Sequence, residues 1–498
     1  MRQPMIRAAL AMTMTAAVFG AAWAEDVKPA PVPAPADWGQ ALAEDARAFH
    51  DIIADSHPGP VDAENPAFKP LLETGLKTAL ARARTADSYE DWYFALQEYA
   101  ASFDDGHLAL TDHAGMGHSW RAEWPGFLTA WKGGADTVVF ARDPAAPPLG
   151  ATLVSCDGKP AAAFAADFVG RGAGRWMLRS RRIAYSTSLF VDQMNPYVRR
   201  PSRCVFEVGG APKTYDLAWR ELPNAVRDEG FAAGRGTPFT APIALRSWGR
   251  NNAWIGLGSF NASAASPQGK ALAALQAEVE SKAATLRAAD AIVFDLRGNS
   301  GGSSAWIYAL ARTLWGADWV TQHAPRSQGV DWRVSKGNLA EIESFRGQVG
   351  NDPQVLAWID AIEAGMRKAT IEGEVLWRQG DEDDREAAVP KAATTAMRAR
   401  AYILTDNRCA SACLDAVDLL KALGAVQVGQ ETSADTLYMD VRDQRLPSGR
   451  GEAVIPMKVY RGRARGNNVT AAPAHAWTGA IADTAAIEAW IAGLDARR

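Results

Sequence analysis

The sequence predicts an α/β protein built on a mostly parallel sheet. Two strand–turn–helix units carry that prediction. In the first, the apolar run Ala291-Ile-Val-Phe-Asp-Leu296 enters a Gly-rich turn and then a helical pattern from Ser303 to Trp315. In the second, Ala401-Tyr-Ile-Leu404 is followed by a turn, a helix from Ser411 to Leu423, Gly424 as its stop, and the strand Ala425-Val-Gln-Val428. Such alternation is the rhythm of a parallel sheet with helical crossovers. Length is the third observation: 498 residues, 48% of them apolar, suggest about three domains at roughly 100–200 residues each.

Charge narrows the function classes. The 57 acidic and 53 basic side chains nearly cancel, without the basic excess that a nucleic-acid binder shows. Residues 1–24 read as a signal peptide. Arg2 and Arg7 form a positive start, Ala8 to Ala22 a short apolar run, and Ala22-Trp-Ala24 a small-residue cleavage site. The run is shorter than the roughly 20 residues a spanning helix needs. The mature chain is therefore expected to be exported, periplasmic or secreted, with no membrane span.

The elements follow in order. Residues 25–36 form a Pro/Ala linker. Residues 37–119 read as a helical region, with Leu42, Ala46, Phe49 and Ile53, then Leu72, Leu76 and Leu80, at helical spacing. It ends in the turn Asp104-Asp-Gly106, with His107 next. Residues 120–225 change to short alternating runs, such as Thr137–Ala141 and Cys204–Val208, separated by Gly-bearing turns. That pattern predicts a small, mostly β module. Residues 240–498 hold the two α/β units, interrupted at about 322–395 by a polar, partly helical insertion with the acidic run Asp381 to Asp384, read as a solvated loop.

Export permits disulfides, and four cysteines allow three connectivities. Cys409 and Cys413 lie one helical turn apart, about 6 Å, within disulfide reach; two buried thiols are the other reading. No CxxC, HExxH or His/Cys cluster is present, so neither a metal nor a cofactor is expected.

Two serines compete as nucleophile. Gly298-Asn-Ser-Gly-Gly302 fits G-x-S-x-G between strand and helix, the elbow of α/β-hydrolases, with Ser300 as the reactive residue. It also spells the motif of trypsin-like proteases, but a helical pattern follows where that fold needs strands. A third reading needs no reactive serine: exposed N–H groups of Gly301 and Gly302 at a helix start would bind an oxyanion. Ser411 begins an amphipathic helix, where the dipole favours an alkoxide; an ordinary helix cap is the alternative.

Taken together, Phe294-Asp-Leu-Arg-Gly-Asn-Ser-Gly-Gly302 and Leu404-Thr-Asp-x-x-x-Ala-Ser-Ala412 resemble the S41 peptidases, the tail-specific processing proteases and the tricorn core. Phe103-Asp-Asp-Gly-His-Leu108, Gly429-Gln-Glu-Thr432 and the segment Pro447 to Pro456 resemble further motifs of that family. The resemblance implies a crotonase-like ααβ core, and a PDZ-like fold for residues 120–225. It also implies a serine peptidase acting on peptide or protein substrates. Ser411 would be the nucleophile, and N–H groups of Gly301 or Gly302 and of Ala412 the oxyanion hole. The tail-specific branch has a Lys base where this chain has Asp435. The tricorn branch uses a His from the N-terminal region, and His107 matches it. The late Glu of that branch is not found around Gly466-Asn-Asn468, so Asp435 either orients His107 or lines the substrate groove. His57 is read as a packing residue.

Two other functions fit the same residues. A peptide- or ligand-binding protein on this fold, its catalysis lost, would explain the departures and a bridge beside Ser411. An esterase working from Ser300 is the third.

Overall fold

The computed structural model describes residues 34–112, 118, 120–235, 239–263, 266–347, 353–379 and 393–495. The residues read as a signal peptide, most of those read as a linker, and the acidic run Asp381 to Asp384 lie outside the described residues. No helix among the described residues is long and apolar enough to cross a membrane.

Six strands form the sheet expected from the two α/β units, in the order 244–248, 252–256, 291–295, 400–405, 426–429, 475–476. The first pair is antiparallel and every later pair parallel. All five residues of Ala291–Asp295 are buried, as befits a central parallel strand covered on both faces. Alternate side chains divide the faces. Ile292, Phe294 and Ile403 pack with the helices Pro267–Ser281, Ala305–Trp315 and Ala412–Ala422. Ala291, Val293, Tyr402 and Leu404 pack against Ile487 and Ile491 of the helix Thr484–Asp495. Asp295 lies opposite Leu404 in the register, so the loops beginning at residues 296 and 406 leave the same sheet edge side by side.

A second sheet is organised on the eleven-residue strand Gly451–Arg461. Ala109–Asp112, Gly329–Arg333 and Tyr438–Arg445 all pair with it, and Leu376–Gln379 extends it. The segment 322–395 therefore contributes two strands besides its helices Lys336–Ser344 and Pro353–Glu372. Their short runs are too brief to show a period: Gly329–Arg333 is held as a strand by Gly451–Arg461, and Leu376–Gln379 by Gly329–Arg333.

The N-terminal helices Trp38–Ser56, Phe68–Ala83 and Tyr89–Ala101 start at caps the sequence supplies: Asp37 accepts from Gln40 N, and Ser88 from Asp91 N. They share one core with the second sheet, in which Phe49, Phe68 and Trp92 meet Tyr438, Ile455 and Val459. The turn carrying His107 is thereby fixed between the last of these helices and the strand Ala109–Asp112.

Residues 127–216 form an antiparallel sheet, ordered 127–132, 135–141, 152–156, 203–208, 211–216. Phe127, Phe164, Phe190 and Phe206 fill its core. The module carries more helix than its alternating runs suggest, including Ala161–Ala165, Arg179–Tyr185 and the adjoining Asn224–Arg235. Cys156 and Cys204 face each other on adjacent strands and are disulfide-bonded.

Candidate active site

Ser411 is one of the described non-glycine residues with a positive φ. It stands between the strand Arg400–Thr405 and the helix Ala412–Ala422 with φ 53° and ψ −129°, and its side chain caps nothing. A non-glycine residue held there costs about 1–3 kcal/mol and persists only where its surroundings impose it. The ordinary-cap reading fails on both counts, since a capping Ser has extended backbone and accepts from the helix. This is the strand–turn–helix elbow that the sequence offered for Ser300, found instead at Ser411. Ser300 is exposed and has no positive φ.

The two turns are locked together. The Asp406 carboxylate accepts from Gly298 N at 2.9 Å and from Arg408 N at 3.0 Å. Burial pushes its pKa up, partly offset by those hydrogen bonds. Gly301 lies against the Ser411 turn so closely that a Cβ there would sit 2.6 Å from Ser411 Cβ. Gly302 is as tightly placed, since its Cβ would fall 2.0 Å from the Phe260 carbonyl. With φ of 108° and 123°, both positions require glycine.

Their amides differ. Gly301 N–H donates to Asn299 Oδ1 at 2.9 Å, so it is occupied. Gly302 N–H and Ala412 N–H make no hydrogen bond among the described residues. Of the two glycines in the predicted anion site, Gly302 therefore has the free donor. Behind the turn, Arg297 forms a buried pair with Asp295, Nη2 to Oδ2 at 2.6 Å, and donates to the Ile481 carbonyl, which fixes where the glycine turn starts.

His107 approaches from the N-terminal region. Its Nδ1 is 3.4 Å from Asp435 Oδ1, without the alignment of a hydrogen bond. Asp435 is buried, in the loop after the strand Val426–Gly429, next to the strand that leads to Ser411. Its Oδ2 is 3.7 Å from Arg465, and Arg465 reaches Asp415 at 3.0 Å, one helical turn after Ser411. A continuous set of ionisable groups thus connects the His107 turn to the helix that follows Ser411.

Several positioning groups were given no such role by the sequence. Asp105 Oδ1 accepts from His107 N at 2.9 Å and from Thr436 Oγ1 at 2.8 Å, tying the His107 turn to the Asp435 loop. His57 is more than packing. Gly59 N–H donates to its Nδ1 at 2.8 Å, which leaves Nε2 to donate to Asp105 Oδ2 at 3.3 Å. Burial lowers the His57 pKa, so the ring is neutral. Burial alone would raise Asp105, but the hydrogen bond from His57 and neighbouring groups hold it below its usual range. Arg175, from the middle module, donates to Asn468 Oδ1 at 2.7 Å and to the Ala434 carbonyl, and its backbone N–H to Asp104. The DDGH string could have flagged Asp105; nothing in the sequence marks Arg175.

Cys409 and Cys413, on either side of Ser411, form a disulfide. No group of three or more His, Cys, Asp or Glu that could hold a metal ion occurs among the described residues.

A serine in a strained strand–turn–helix elbow, packed against Gly301 of a Gly-Gly turn, is the arrangement of a serine-type hydrolase; the family match below makes it a serine-type peptidase. Residues 252–466 match the model of Peptidase family S41. The fold is similar to that of mature CPAF, with a TM-score of 0.56 at 12% identity over 92% of this chain and 98% of that one. It is equally similar to mature CPAF complexed with lactacystin, with a TM-score of 0.55 at 12% identity over 92% and 99% of the two chains. No curated protein matches the sequence.

Proposed function

We propose that this chain is an exported serine peptidase in which Ser411 attacks the peptide carbonyl and His107 is the general base. The observation that carries the reading is the backbone of Ser411: left-handed, uncapped, and packed on Gly301 within the family-matched segment. Attack transfers the Ser411 proton to His107, and the imidazolium returns it to the leaving amine. Asp435, beside Nδ1, leaves Nε2 for the serine and stabilises the imidazolium. The oxyanion is held by Gly302 N–H and Ala412 N–H, the latter at a helix N-terminus where the dipole adds to the hydrogen bond. Water then hydrolyses the acyl-enzyme by the same groups in reverse. No step calls for a metal or cofactor.

The crotonase-like arrangement of the core and the PDZ-like nature of residues 120–225 belong to this reading, with the middle module presenting peptide to the site. The putting of a Pro/Ala linker after a cleavable leader supports export.

The test is to react the purified mature protein with a fluorophosphonate and map the adduct by mass spectrometry. Labelling is expected at Ser411. Labelling at Ser300 would replace the peptidase assignment of the nucleophile with the esterase one. A protein that binds peptide tightly yet labels nowhere would be a binding protein on the same fold.

A further inference from the structure

The Cys409–Cys413 bridge closes a five-residue ring around Ser411, and both cysteines are fully buried. On one side Cys409 N–H donates to the Asp406 carbonyl at 3.2 Å, which anchors it to the turn that also holds Gly298. On the other, Cys413 lies in the first turn of the helix, its N–H donating to Ala410 O at 3.1 Å. Between these fixed ends Ser411 keeps a backbone that L side chains avoid, with no cap hydrogen bond from its own hydroxyl.

An unconstrained serine at a helix start has a better alternative. It would relax to extended backbone and accept from the second or third helical N–H, the usual cap. That relaxation would turn Oγ into the helix, away from substrate, and swing Ala412 N–H with it. Moving Ser411 that way requires the chain between residues 409 and 413 to change its path, and the covalent link opposes it.

We infer that the Cys409–Cys413 bridge is a positioning element for the nucleophile, holding Ser411 and the Ala412 amide in reactive geometry. The inference rests on the assignment of Ser411 made above. Its consequence is a chain competent only where disulfides form, which accords with an exported enzyme.

The test compares the fluorophosphonate labelling rate, kcat and KM of wild type with the variant Cys409→Ala/Cys413→Ala, and with Cys156→Ala/Cys204→Ala as the control bridge. Loss of the Ser411 bridge is expected to slow labelling and lower kcat by about tenfold or more, the scale of a displaced reactive group, with KM unchanged and cooperative melting retained. The control is expected to lower the melting temperature but label at the wild-type rate. If the alanine pair fails to melt cooperatively, Cys409→Val/Cys413→Ala refills the buried volume and is measured instead; unfolding of both would make the bridge a general staple and overturn the positioning role. A bridgeless variant labelled at the wild-type rate overturns the inference while leaving Ser411 as nucleophile. An unlabelled wild type overturns the nucleophile assignment itself, and the inference with it.

Discussion

His107 Nδ1 lies 3.4 Å from Asp435 Oδ1, joining a turn that follows the N-terminal helices to a loop that follows the parallel sheet. A buried carboxylate beside an imidazole can set its tautomer. His107→Ala is expected to lower kcat/KM by at least about a hundredfold, the usual scale of a general base. Asp435→Asn should retain more activity, with its loss in kcat and not KM. Steady-state kinetics on a fluorogenic peptide distinguishes this from a groove-lining Asp435, whose substitution would raise KM.

Gly301→Ala should both weaken the fold and silence the site. The added methyl meets Ser411 Cβ at 2.6 Å, at a φ of 108°. A destabilisation of about 1–3 kcal/mol is expected from the backbone alone, read as a lower urea midpoint. Fluorophosphonate labelling of the folded fraction should also fall.

Arg175, in the middle module, donates to both the Ala434 carbonyl and Asn468. Arg175→Met keeps much of the apolar stem and removes the guanidinium bonds. Peptide turnover is expected to drop by roughly ten- to a hundredfold through displacement of the Asp435 loop, with little change in melting temperature. Equal turnover in the variant would confine Arg175 to holding the module in place.

Acidification should destabilise the protein through His57. Its folded pKa is lowered from the ordinary 6.5 by burial. Below 6.5 the unfolded chain takes up a proton that the native ring does not, so stability falls as pH drops towards the folded value. His57→Gln removes that proton uptake. Urea midpoints measured from pH 7 to 5 should slope less steeply for the variant than for wild type.

The sequence by itself determined the local chemistry. Apolar runs followed by Gly-rich turns placed both strand–turn–helix units within a residue or two, because strand, turn and helix preferences are short-range. The pairing of a Gly-Gly turn with Ala-Ser-Ala made Ser411 a candidate, and His107 became one through the resemblance that DDGH shares in. Only the tertiary structure decided which amide of the Gly301–Gly302 pair is free, since that depends on where the Asn299 side chain points. It also decided that the elbow conformation falls on Ser411 and not Ser300, because a positive φ in a serine is imposed by packing and by the bridge around it, not by any propensity of the residue. The surroundings of His107 were legible only in part: Asp435 stood open between orienting His107 and lining the groove, while the positioning roles of Asp105, His57 and Arg175 were not legible. These residues come from separate stretches of chain, and their meeting depends on how the N-terminal helices, the middle module and the second sheet pack together.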